Sequence, residues 1–171
     1  TLVHFHPLAG QLATRVDEDK HESLVYVDCT KGPGARFIHA SLDMTMSEIV
    51  SPIVVPLVVQ SFFDHHKAVN YDGHTQPLLS VRITELLDGI FIGVSMNHVL
   101  GDGVAYWHFW NTWSEIHMAK LANECSVISN PPIHKRWLPD GYTLRVPLPF
   151  THPEEFISRY ERPPLRERIL H

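Results

Sequence analysis

The sequence has little of what disulfide-bonded, thiolate-metal or membrane-spanning proteins need. Its two cysteines, Cys29 and Cys125, lie far apart and neither belongs to a CxxC pair, so we expect reduced thiols rather than a disulfide framework or a thiolate metal site. The longest apolar run, residues 49–63, is interrupted by Pro52 and Pro56 and is well short of the roughly 20 residues that span a bilayer. We therefore expect this run to form part of the core and not a membrane segment.

The chain also has no large excess of positive or negative charge. The chain has 14 Lys+Arg against 19 Asp+Glu, a formal net charge of -5 with the histidines neutral, and no basic stripe, so nucleic acid is not an expected partner. Residues 1–6 contain neither an initiator Met nor the basic segment of a signal peptide, so we expect no signal peptide and a chain that begins inside an element, as a fragment does. The sequence also has no N-glycosylation sequon, which makes the cytoplasm the default location.

The pattern of short apolar segments predicts one domain of α/β or α+β type. Alternation over residues 11–16 and the Val- and Tyr-rich run 23–29 predict an antiparallel hairpin. Thr45-Met46-Ser47-Glu48 fits a capping box that opens a short helix, which Pro52 closes.

A second hairpin and a helix follow in the middle of the chain. Residues 77–97 alternate on both sides of Leu87-Asp88-Gly89, so they predict two paired strands with that turn. After Gly103 the period becomes helical, and stripes that contain Val104, Trp107 and Phe109 predict a helix buried on several sides, with its aromatic residues in the core rather than in a substrate box. From Asn130 the chain is rich in proline, which predicts an extended surface connection.

Most familiar catalytic motifs are missing. There are thirteen histidines, but no HExxH helix and no Cys/His quartet, so we expect no metal site. Gly32-Pro33-Gly34 has neither the Lys-Ser/Thr ending of a P-loop nor the spacing of a dinucleotide fingerprint, and no GxSxG elbow occurs.

One segment, His98-Val99-Leu100-Gly101-Asp102-Gly103, has a chemically useful placement. It carries a histidine from a strand end into a glycine-bearing turn before the helix. Imidazole is a side-chain group suited to general base catalysis, so this histidine is a candidate base. Two structural interpretations stay open from the residues alone. Asp102 can be a helix N-cap, and His98 can be a buried histidine bonded to a backbone carbonyl.

This segment resembles the HxxxDG motif of the plant BAHD acyltransferases, in the chloramphenicol-acetyltransferase-like superfamily. Further segments match in the same order along the chain: Phe5-His6-Pro7-Leu8-Ala9-Gly10-Gln11-Leu12 resembles the early F-x-PLAGRL segment, residues 77–93 the central hairpin, and residues 107–115 the following helix. Gln11 stands where the family commonly has Arg, and the family's DFGWG motif is absent from these residues.

The resemblance implies a chloramphenicol-acetyltransferase-like α/β domain with a mixed sheet flanked by helices, as one incomplete half of a two-domain pseudo-dimer. Residues 1–150 would form part of the N-terminal domain and residues 151–171 the start of the connection to the missing C-terminal domain. It further implies a cytoplasmic, monomeric enzyme that transfers an acyl group from acyl-CoA, as co-substrate without a bound cofactor, to a hydroxyl or amine of a small molecule. His98 would be the general base, Asp102 would be structural and turned toward an arginine, and Gly103 would keep the channel open.

Two other functions remain open at this point. The chain can be a truncated, inert relative that works as a binding module, or a lyase that uses the same base in an elimination. Since the resemblance places most of the coenzyme A pocket in the other half, we expect this chain alone to be inactive.

Overall fold

The chain forms five strands, two α-helices and several short 3-10 segments in a computed structural model that describes residues 1–125, 127–135, 138–142 and 145–158. The strands are β1 (Gln11–Asp17), β2 (Glu22–Asp28), β3 (Arg36–Ser41), β4 (Leu79–Leu86) and β5 (Gly89–Met96), and the helices are α1 (Met46–Val50) and α2 (Gly103–Leu121). The 3-10 segments are His6–Ala9, Leu57–Phe62, Asn70–His74, His98–Leu100 and Pro153–Glu155. The predicted mixed α/β fold class is confirmed.

β1 and β2 form the predicted antiparallel hairpin. Their register runs from Gln11 opposite Asp28 to Asp17 opposite Glu22. His21, in the turn between them, adopts a left-handed φ of 52°, which lets the chain reverse over a few residues.

The second sheet has the order β3-β4-β5 and is mixed. β4 pairs antiparallel with β5 across the predicted turn and parallel with β3 on its other side. Because register partners lie on the same face, Leu79, Val81 and Val94 line one face of the sheet, and Ser80 and Thr84 line the other. The predicted hairpin of residues 77–97 is therefore confirmed.

The capping box at the start of α1 is also confirmed. The Thr45 side chain accepts a hydrogen bond from the backbone N–H of Glu48, and the Glu48 carboxylate accepts one from the Thr45 N–H at 2.8 Å. Asp88, in the turn between β4 and β5, accepts a further bond from the Met46 N–H at 2.7 Å, so the turn also holds the start of α1.

The core lies between α2, the N-terminal segment and the apolar face of the second sheet. Its buried members are Phe5, Leu8, Leu79, Val81, Val94 and Phe109. The prediction that α2 is buried on several sides is wrong for one side, since Val104 is 77% and Trp107 62% exposed. Helical spacing identifies residues that share a stripe, but only one stripe of α2 meets the sheet, so Trp107 is not a core residue.

The apolar run of residues 49–63 is buried only near its ends. Ile49 and Phe62 are buried, whereas Ile53 and Leu57 are more than 60% exposed. The expectation that this run forms part of the core is therefore wrong for most of its residues. Pro52 and Pro56 break the run into short turns, so it cannot present one continuous face to the sheet.

After α2 the described residues follow an irregular, mostly exposed path, as the proline content predicts. This path is attached to α2 at two points, where Glu115 accepts hydrogen bonds from the N–H and hydroxyl of Ser129, and where the His108 ring bonds to the Asn130 carbonyl at 2.7 Å. Cys29 and Cys125 are free and exposed. In the described ranges no helix has the length and hydropathy needed to span a membrane.

Candidate functional site

The candidate site is the turn between β5 and α2. β5 ends at Met96, residues His98–Leu100 form one 3-10 turn, and α2 begins at Gly103. The sequence-based expectation that a strand delivers His98 into a tight turn directly before a helix is confirmed. This arrangement places an imidazole at the edge of the sheet, where the backbone on both sides belongs to regular elements.

Asn97 holds the start of this turn. Its backbone N–H donates to the Leu78 carbonyl at 2.8 Å, which extends the ladder between β4 and β5 by one residue. Its side-chain Oδ1 accepts from the Val99 N–H at 3.1 Å, and its Nδ2 donates to the Asn70 carbonyl at 2.8 Å. Asn97 thus connects the turn both to the sheet and to the 3-10 segment Asn70–His74.

His98 itself is exposed, and within the described part of the chain its ring makes no hydrogen bond, ion pair or ring contact. The alternative of a buried histidine bonded to a backbone carbonyl is therefore wrong. The residue continues the chain beyond the last ladder bond of β5, so the alternation of β5 no longer places its side chain against the sheet. The imidazole is therefore accessible to a molecule that approaches this end of β5.

Asp102 is the N-cap of α2, as the spacing predicts. One carboxylate oxygen accepts a hydrogen bond from the Ala105 N–H at 3.0 Å, and the Asp102 carbonyl accepts the first helical bond, from Tyr106. Among the described residues no arginine forms an ion pair with Asp102. The geometry in hand therefore supports the capping role of this residue, and the arginine partner stays a prediction.

The two glycines of the turn have opposite surroundings. A Cβ at Gly101 would lie 2.4 Å from the Cβ of Ala105, so a side chain there collides with the first turn of α2. A Cβ at Gly103 would have no described atom within 4 Å. Gly101 is thus required by close packing, whereas Gly103 faces open space.

A network of hydrogen bonds surrounds His74, at the end of the Asn70–His74 segment. The backbone carbonyl of Tyr71 can only accept, so the His74 Nδ1 at 2.8 Å carries a proton, and the His74 Nε2 meets the Thr14 hydroxyl at 2.8 Å. Gln11 donates to the His74 carbonyl at 2.7 Å. These bonds join β1 to the Asn70–His74 segment, which in turn holds Asn97.

Asn97 and His74 were not among the site residues predicted from the sequence. An Asn next to a turn favours side-chain bonds to the backbone two residues further along, which is a local signal for Asn97. Its bond to Asn70 and the contacts of His74 join residues far apart in sequence, and no spacing rule indicates them.

An open groove lies beside the turn. Apolar side chains of Phe5, Met96, Leu100 and Ile133 line it, together with the ring of His108. Two of these residues, Met96 and Leu100, flank His98 in sequence at a distance of two. No group of three or more His, Cys, Asp or Glu side chains within the described ranges is arranged to hold a metal ion.

Fold and site together define a mixed α/β domain that presents an exposed histidine on a turn. The side chains of Asn97 and Asp102 hold this turn at its two ends, since each accepts a backbone hydrogen bond. A sequence profile described as "Transferase family" matches residues 1–159. The chain belongs to this family, that of the BAHD acyltransferases.

Similarity to curated plant proteins agrees with this assignment. The chain is 33% identical over 171 residues to an uncharacterized acetyltransferase of Arabidopsis thaliana, with 98% of this chain and 37% of that protein covered. It is 31% identical over 121 residues to the BAHD acyltransferase DCR of Arabidopsis thaliana, covering 67% of this chain and 24% of that protein. It is 34% identical over 118 residues to the shikimate O-hydroxycinnamoyltransferase of Nicotiana tabacum, covering 67% and 25%.

The chain therefore spans less than two fifths of the length of these relatives. Among solved structures, the epimerization domain from the third module of tyrocidine synthetase B matches 71% of this chain and 25% of that chain, with 17% identity and a TM-score of 0.48. The family assignment does not depend on this structural match.

Proposed function

We propose that this chain contributes the general base of an enzyme that transfers an acyl group from an acyl-CoA thioester to a hydroxyl or amine of a small-molecule acceptor. The observation that carries the proposal is the exposed ring of His98 on a turn whose backbone is held at both ends. Membership of the BAHD family and the names of the acyltransferase relatives support acyl transfer as the reaction class.

In the proposed reaction an imidazole nitrogen of His98 accepts the proton of the acceptor's O–H or N–H group. The acceptor atom then forms a bond to the thioester carbonyl carbon, and the carbon–sulfur bond breaks. The coenzyme A sulfur takes the proton back from the imidazolium and leaves as the free thiol, so the histidine returns to its starting state. Base catalysis of this kind typically contributes about 10²–10⁴-fold to the rate.

The neighbouring residues have supporting parts in this proposal. Asp102 holds the turn through the cap of α2. Gly103 keeps the channel open, in agreement with the absence of any described atom within 4 Å of a Cβ at that position. Acyl-CoA is a co-substrate rather than a bound cofactor. Because the chain covers only 37% of the relative that it matches along nearly its whole length, the coenzyme A pocket and the second wall of the channel would come from a further domain of the same protein.

The domain division belongs to the same proposal. Residues 1–150 form part of the N-terminal domain and residues 151–171 begin the connection to the next domain, of which residues 159–171 lie outside the described ranges. Cytoplasmic location and a monomeric state complete the proposal.

The test replaces His98 by Ala in the full-length protein that contains this chain, and follows thiol release from acyl-CoA with a panel of alcohol and amine acceptors. We expect kcat to fall by about 10²–10⁴-fold, because the proton of the acceptor then has no base. His117→Ala is the matched control, since His117 is also exposed and makes no hydrogen bond among the described residues, and it should leave turnover unchanged. Wild-type turnover in His98→Ala would refute the assignment of the base.

The same experiment separates the other two functions. Coenzyme A binding in a calorimetric titration without turnover of any acceptor indicates a binding module. Product formation without an acyl donor indicates a lyase.

A further inference from the structure

We infer that Asn97 is a positioning residue for His98: its side chain fixes the backbone that carries the base. This inference rests on the proposed function, since it assigns Asn97 a role only through His98.

The Asn97 side chain closes a hydrogen-bonded loop that contains the backbone of His98. Oδ1 of Asn97 accepts from the N–H of Val99, two residues further along, at 3.1 Å. This is the Asx-turn arrangement, and the residue enclosed by it is His98. The N–H of Leu100 donates to the Asn97 carbonyl at 3.1 Å, so a second ring encloses His98 as well.

Two further hydrogen bonds of Asn97 anchor this turn to the rest of the fold. Nδ2 of Asn97 donates to the Asn70 carbonyl at 2.8 Å, and the Asn97 N–H donates to the Leu78 carbonyl at 2.8 Å. Gly73 permits the close approach, since a Cβ at that position would lie 2.9 Å from Nδ2 of Asn97. The turn is therefore fixed relative to both the central strand β4 and the Asn70–His74 segment.

Contacts with the described residues hold the imidazole of His98 only through its own backbone. Within the described part of the chain the His98 ring has no bonding partner of its own. The position of the imidazole therefore depends on the backbone of His98. The hydrogen bonds of Asn97 hold this backbone at the end that continues from β5. A misplacement of a catalytic group by about 1 Å can cost about 10²-fold in rate.

The experiment is a double-mutant cycle in the full-length protein. Asn97→Ala should lower kcat by about 10–100-fold, with less than about a threefold change in KM for acyl-CoA, because the base is misplaced while substrate binding is retained. In the His98→Ala background the same substitution should lower the residual rate by less than about threefold, since no base is left to position. A merely structural role predicts the same loss in both backgrounds, and that result would overturn the inference.

Asn70→Ala is the matched control. It removes an amide side chain from the partner residue, but the partner atom is the Asn70 backbone carbonyl, so the bond to Asn97 stays. We expect wild-type kcat for this variant.

A second variant keeps the test decisive if Asn97→Ala does not fold. Asn97→Ser retains an oxygen that can accept from the Val99 N–H, but its hydroxyl is too short to reach the Asn70 carbonyl. It should lose about 3–30-fold in kcat, again only when His98 is present, because one of the two side-chain bonds of Asn97 is retained. Unchanged kcat in Asn97→Ser and Asn97→Ala, while His98→Ala is inactive, would refute the role of Asn97 and leave the general base in place. Full turnover in His98→Ala would instead refute the proposed function.

Discussion

Asp102 offers the sharpest test of the local physics of the turn, because two explanations of this residue predict different results for one substitution. As an N-cap, its carboxylate oxygen accepts from the Ala105 N–H at 3.0 Å. As a partner of an arginine, it would act through its negative charge. Asp102→Asn keeps an oxygen that can cap the helix but removes the charge, whereas Asp102→Ala removes both.

The structure favours the cap, so we expect the two variants to differ. Replacement of an Asp cap by Ala costs about 1 kcal/mol in the free energy of unfolding, within a range of about 0.5–2 kcal/mol. Asn caps helices as well as Asp, so Asp102→Asn should stay within about 0.5 kcal/mol of the wild type. For a folding unit of 171 residues a loss of 1 kcal/mol lowers the melting temperature by about 2–4 °C.

Urea unfolding followed by circular dichroism measures both variants. Asp43→Ala is the control, since it removes another exposed carboxylate that makes no hydrogen bond among the described residues, and its unfolding free energy should change by less than about 0.5 kcal/mol. If Asp102→Asn proves as unstable as Asp102→Ala, the charge and not the cap bond stabilises the turn, and the argument from the cap is wrong.

Two further predictions concern packing and pH. Gly101→Ala should destabilise the protein by about 1–3 kcal/mol in urea unfolding, since its Cβ would lie 2.4 Å from that of Ala105. Gly103→Ala should be neutral or slightly stabilising, because a Cβ there meets no described atom. Equal losses of stability in the two variants would contradict the packing argument. Burial lowers the pKa of His65 below its ordinary value, so below about pH 6.5 the unfolded state takes up more protons and stability falls as pH decreases. His65→Gln should weaken this pH dependence of the unfolding free energy between about pH 5 and 7. His66→Gln is the control, since His66 is the exposed neighbour. If the slope of unfolding free energy against pH is unchanged in His65→Gln, the prediction is wrong.

Local patterns predicted most of the regular elements. The alternation of β1 and β2, the Thr45 capping box and the Leu87-Asp88-Gly89 turn all depend on residues within a few positions of each other. Asp102 as N-cap is of the same kind. These predictions hold because steric preferences of the backbone and short-range hydrogen bonds act the same way in any surrounding fold.

The predictions that are wrong concern burial. The spacing of Trp107 is as helical as that of Phe109, yet Trp107 is 62% and Phe109 only 4% exposed. Likewise the apolar character of residues 49–63 does not reveal that Pro52 and Pro56 turn Leu57 outward. Which side of an element is covered depends on what packs against it, and a single periodicity does not contain that information.

The order of the elements, the histidine at a strand end before a helix, and the resemblance to the BAHD family follow from the sequence, because each depends on residues close together along the chain. The exposure of His98, the tight packing of Gly101 but not of Gly103, and the bond between Asn97 and Asn70 became visible only in the folded chain. Hydrogen bonds and close contacts between distant segments form only once the sheet has brought those segments together, so no local pattern contains them.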